Sequence, residues 1–141
     1  MQSAQLTSWS NITIGVDTPN GKMYVTLMDD DEGCLCEVLI HAGRTGGAVH
    51  AWASSLSRIM TTALERGAGV NDLIRDLSSQ TTSERTRTTE GGVTIRSGPD
   101  GVCFALMEYR RAKYRELREK LGGFADDDDG DTGYRAARLG S

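Results

Sequence analysis

The residues best suited to recognition lie late in the chain, where Phe104, Glu108, Arg111 and Arg115 are separated by four, three and four positions. On a helix that spacing puts them on one stripe. A phenyl face can stack on a base, and guanidinium forks pair with phosphate through two bonds at once. The same stripe would also serve as a solvated basic face, with Glu108 neutralised by its arginine neighbours. A second feature is Gly43-Arg44-Thr45-Gly46-Gly47, between an extended run and a helical one. Backbone N–H groups at a helix start attract anions, and Arg44 would add charge. The segment matches neither the Walker A loop nor the dinucleotide fingerprint. A tight turn needing positive φ uses the same glycines.

Nothing comparable supports catalysis or metal binding. Cys34 and Cys36 alternate on an extended run and point to one face, but zinc sites need a second ligand pair and none exists. His41 falls on the opposite face and His50 in a helix. The cysteines read as small core residues. No elbow or triad signature surrounds any Ser, Cys or His, so the expectation is no catalytic group, no metal and no cofactor.

Those residues must be held by a small set of elements. Ile12, Ile14 and Val16 alternate with Thr13 and Gly15 as in a strand. Thr18-Pro19-Asn20-Gly21 is a hairpin signal before a second strand over residues 23–28. The acidic turn 29–33 leads to a third strand over 34–41. A helix over 48–66 carries Trp52, Leu56, Ile59, Ala63 and Leu64 on one side and stops at Gly67. A short helix from Val70 carries Leu73, Ile74 and Leu77. Residues 78–89, rich in Ser, Thr and Arg, read as a mobile loop, and Val93-Thr94-Ile95 as a short extended piece. Ser97-Gly98-Pro99-Asp100 starts the last helix, with a hydroxyl cap, Pro in the first turn and an acid at the third helical position. That helix ends near Leu121, with Leu106, Tyr109, Leu117 and Leu121 as its core stripe.

The totals bound the reading. A chain of 141 residues fits one domain. Its 16 Lys and Arg against 20 Asp and Glu give a net charge of -4, which argues against non-specific nucleic-acid binding. Three cysteines in no scaffold spacing point to a reducing compartment. Neither a leader pattern nor an apolar run of membrane-spanning length is present, which implies the cytoplasm. Basic residues crowd 110–118, and Asp126 to Asp129 form an acidic block beyond the last helix.

Several segments together resemble the TSCPD domain family. The matching residues are Gly33, Leu35, Glu37 and Val38; Gly43, Arg44, Gly46 and Gly47; Ala51, Trp52, Leu56, Ser57 and Arg58; and Ser97, Pro99 and Asp100. The resemblance covers about residues 22 to 118. Gly98 stands where the family has its namesake Cys, which removes any thiol-dependent role of that motif, and the 78–90 loop is longer and more polar. The resemblance implies association with adenosylcobalamin-dependent ribonucleotide reductases, or a small protein acting alone. Size, element order and the last-helix arginines also resemble phage Thoeris anti-defence proteins, which sequester cyclic ADP-ribose-type signals.

The expectation is an α+β domain over residues 1–123: an antiparallel sheet of three or four strands packed on two long helices and one short one. Residues 124–141 are expected to be a disordered acidic tail. The expected function is non-catalytic capture of a nucleotide-type signalling molecule by a homodimer or larger assembly. Arg44, Arg111 and Arg115 would hold phosphates, Phe104 would stack on a base, and Ser97 and Asp100 would meet ribose or base polar atoms. The alternatives are an accessory domain of ribonucleotide reductase and a protein–protein interaction module.

Overall fold

A computed structural model describes residues 11–78, 86–89 and 91–122. The first three elements are strands β1 (Asn11–Thr18), β2 (Gly21–Asp29) and β3 (Leu35–Ala42), an antiparallel meander in the order β1-β2-β3. Thr18 closes the first hairpin: its hydroxyl donates to the Gly21 carbonyl at 2.8 Å and accepts from the Asn20 N–H at 3.0 Å. The chain turns on Pro19 and Asn20, with Thr18 opposite Gly21 and Gly21 at φ 106°. In the acidic turn, the Asp30 carboxylate accepts from the Glu32 and Cys34 N–H groups at 2.9 and 3.0 Å. A register shift follows between Met28 and Asp29.

Alternation sorts the sheet into a core face and an outer face. Val16, Met23, Val25, Leu27, Val38 and Ile40 are buried together, with Val25 opposite Ile14 and Ile40 in register. Helix α1 (Ala48–Glu65) lies along β3. Being an edge strand, β3 has N–H groups that no neighbouring strand takes. The hydroxyls of Ser57 and Thr61 accept them, from Ile40 at 2.8 Å and Val38 at 3.2 Å. A helix thus closes this edge with side-chain oxygens in place of a fourth strand.

Helix α2 (Val70–Leu77) buries Leu73 and Leu77 and packs on the last helix. A two-residue ladder, β4 (Arg87–Thr88) with β5 (Thr94–Ile95), forms a second small sheet. β4 falls where a loop is expected from sequence, and no periodicity can announce a strand of two residues. Most of the rest of that loop, like the 124–141 tail, lies outside the described residues.

Helix α3 (Gly98–Lys120) crosses β1 and β2. Its start is as expected: the Ser97 hydroxyl accepts from the Asp100 N–H at 3.0 Å, and the Asp100 carboxylate accepts from the Arg96 N–H at 2.9 Å. Gly101 is an approach point, since a Cβ there would lie 2.8 Å from Thr18 Cγ2 and 2.9 Å from Met23 Cε. The core stripe needs one correction. Leu106 and Tyr109 are buried, but Leu117 and Leu121 are 53% and 66% exposed. At about 1.5 Å per residue the helix is about 34 Å long, longer than the strands beneath it at about 3.3 Å per residue. Its last turns therefore run past the sheet.

Candidate functional site

Where α3 passes the edge strand β1, a cleft of about 360 Å³ opens between helix, strand and the β4–β5 connection. The strand contributes Gly15, Val16 and Asp17, the start of β2 contributes Lys22, and the connection contributes Thr89 and Gly91. From α3 come Phe104, Glu108 and Arg111, three members of the expected stripe. The helical spacing is what brings them to one wall, because α3 turns its other sides to the sheet and to α2.

The charges in the cleft alternate. Arg111 Nη2 lies 2.9 Å from Glu108 Oε1, and Lys22 Nζ lies 3.5 Å from Asp17 Oδ1. The Arg111 pair is the more sheltered of the two. Lys22 Nζ also sits 5.9 Å from the centre of the Tyr24 ring. The wall therefore offers two cations to an anion and two carboxylates to hydroxyl or amino donors, beside a half-buried phenyl ring.

The structure separates the six expected binding residues. Phe104 and Arg111 are in the cleft. Arg115, one turn further on, is exposed and does not line it. Arg44 is exposed in the turn before α1, again away from these walls. Ser97 and Asp100 are buried, with exposures of 1% and 0%, and bond the start of α3, so neither presents polar atoms to a ligand in this cleft. Lys22, Asp17 and Gly15 do not stand out in the sequence. The signal for Gly15 was its place inside an alternating strand, where glycine often marks a close approach of another group.

Gly43 and Gly46 adopt φ of 73° and 88°, and a Cβ on Gly43 would fall 2.9 Å from Val49 Cβ. The turn thus requires glycine for its own conformation. At Gly98 a Cβ would lie 2.3 Å from Trp52 Cζ2. The indole fills the space that a cysteine would need.

A second polar centre stands at the far end of β2. The buried Asp29 carboxylate accepts from the Tyr109 hydroxyl and, at 2.6 Å, from Lys113 Nζ. Burial, then the bond to Asp29, pushes the Tyr109 hydroxyl far above its ordinary pKa. The bond to Asp29 holds the Lys113 ammonium above its own. Tyr109 thereby keeps its proton and serves Asp29 as a hydrogen-bond donor. Among the cysteines, Cys103 is buried but Cys34 is exposed, because it belongs to the turn before β3 begins. The core reading fails for Cys34. Burial and Asp30 raise the Cys36 thiol, which lowers its thiolate fraction. Among the described residues, no three His, Cys, Asp or Glu are grouped to hold a metal ion. No helix among them is long and apolar enough to cross a membrane.

The family model of the TSCPD domain matches residues 3–110, which include the cleft except for Arg111. No curated protein and no solved structure matches the chain.

Proposed function

The chain belongs to the TSCPD domain family, and from that premise we propose that it binds and sequesters a nucleotide-type signalling molecule in the β1–α3 cleft without turning it over. The observation that carries this reading is the convergence of Arg111, Lys22, Glu108 and Phe104 on one cavity of about 360 Å³. Arg111 and Lys22 would take phosphate, Glu108 and Asp17 would take ribose hydroxyls, and Phe104 would lie along the base. That volume is toward the small end of ligand sites, which run from about 300 to 1,000 Å³. It suits one nucleotide unit.

Sequestration needs tight binding, and nanomolar affinity corresponds to about 12 kcal/mol. Two ion pairs and one stack in an open cleft fall short of that. A second copy closing over the cleft would desolvate those contacts and strengthen them, so the homodimer belongs to this reading. The nearest alternative, an accessory domain serving ribonucleotide reductase, draws on the family and would use the same cleft for a deoxynucleotide effector.

The test is mass spectrometry of what heat releases from purified protein, followed by incubation with excess of the released compound. Recovery of the input unchanged is expected. Multiple-turnover loss would make the protein an enzyme, and release of a deoxynucleotide would favour the reductase role.

A further inference from the structure

The backbone pairing of the sheet says more about the cleft than its side chains do. Val38 and Ile40 give their N–H groups to Thr61 and Ser57, so their backbone groups point away from β2. Val38 is opposite Leu27, and Ile40 is opposite Val25. In an antiparallel ladder bonded and non-bonded pairs alternate across each strand. Val25 and Leu27 must therefore bond toward β1, to Ile14 and Ile12 in register. By the same alternation Gly15 and Asp17 bond no residue of β2, and their N–H and C=O groups point to the side of β1 that no other described strand pairs. That side is a wall of the cleft, which both residues line. The nearby β4 pairs with β5 and not with β1.

The Gly15 carbonyl and the Asp17 N–H thus stand side by side in the cleft, an acceptor next to a donor, as for an incoming strand. We propose that this open strand edge reads the base of the bound nucleotide and selects one that carries an exocyclic amino group beside a ring nitrogen acceptor. Adenine and cytosine present that pattern: the amino group donates to the Gly15 carbonyl and the ring nitrogen accepts from the Asp17 N–H. Hypoxanthine and uracil present the reverse, oxygen against carbonyl and ring N–H against N–H. A Cβ at Gly15 would lie 3.3 Å from Tyr24 Cε1 and 3.4 Å from Lys22 Cε, so glycine leaves those side chains room and adds none of its own. This rests on the reading of the cleft as a nucleotide site, with Arg111 and Lys22 at the phosphate end.

Calorimetric titration of the full chain with ADP, IDP, CDP and UDP tests it. ADP is expected to bind about tenfold or more tighter than IDP, and CDP tighter than UDP in the same sense, since a mismatch sets acceptor against acceptor and donor against donor. Equal affinities within each pair would overturn base reading by β1 and leave the nucleotide site standing. If none of the four binds, the nucleotide reading falls and this inference with it. Asp17→Pro removes the outward N–H without breaking a ladder bond. It should erase the preference, whereas Asp17→Asn, which keeps the N–H, should retain it. Should Asp17→Pro fail to fold, the amide proton of Asp17 in the wild-type chain supplies the readout: ADP should shift it and IDP should not, and equal shifts would overturn the proposal.

Discussion

At the scale of single residues, the structure divides the basic side chains by what surrounds them. Arg111 faces the cleft with Glu108, while Arg115 stands outside it. Replacing Arg111 and Lys22 by Glu together is expected to abolish nucleotide binding in a calorimetric titration. Arg115→Glu alone should change affinity by no more than about threefold, because an exposed charge beyond the walls acts only through screened solvent. Melting should shift little for Arg115→Glu, since surface charges away from a buried network usually alter stability by less than about 0.5 kcal/mol, whereas the double reversal also sets like charges beside Glu108 and Asp17 and should lower the melting temperature. Tyr109→Phe belongs to the other polar centre. It deprives the buried Asp29 of a donor and should cost about 1–3 kcal/mol in chemical denaturation. Binding in the cleft should survive it.

Among the elements, the contact between α1 and β3 depends on two hydroxyls that satisfy a strand edge. Ser57→Ala leaves the Ile40 N–H buried without its partner and is expected to destabilise by about 1–3 kcal/mol. Ser57→Thr, which keeps the oxygen, should cost less, and urea midpoints of the two variants measure the difference. The start of α3 offers a sharper case. Gly98→Cys restores the family's residue but drives a Cβ into the Trp52 ring. Overpacking of this kind costs about 1–3 kcal/mol, and Trp52→Leu in the same chain should recover part of it. A wild-type melting temperature for Gly98→Cys would show that the indole moves freely and would remove the close fit as the reason for glycine.

For the molecule as a whole, the Asp29 centre couples β2 to α3 and links stability to alkaline pH. Both raised groups favour the protonated form in the fold: Tyr109 against an ordinary value of 10.0 and Lys113 against 10.5. The folded state then holds protons that the unfolded chain releases first. Their contribution is complete below those ordinary values and is lost as pH rises above them. Urea midpoints should stay level from this source through neutral pH and fall above about pH 10. Tyr109→Phe should flatten that fall. A decline already under way at pH 8 in the wild type, absent from Tyr109→Phe, would contradict this assignment.

Local pattern alone was enough for the meander, the spans of the helices and the start of α3, but not for the buried side of α1, which hides Ala53, Ser57 and Met60 and leaves Ile59 65% exposed. Alternation at Ile12, Ile14 and Val16, the Asn-Gly signal and the Ser97 to Asp100 cap are each decided within a few residues, by pleat or by helix-end hydrogen bonding. The stripe of Phe104, Glu108 and Arg111 was legible for the same reason. Local pattern carries no information about what lies across from a helix. Ser97 and Asp100 read equally well as ligand contacts until packing buried them, and Leu117 and Leu121 read as core until the sheet ended beneath α3. Lys22 joined Arg111 only because β1 and β2 bring position 22 beside a helix nearly ninety positions later. Which strand edge stays open was settled only when α1 spent its hydroxyls on β3, for an edge is defined by neighbours distant in sequence.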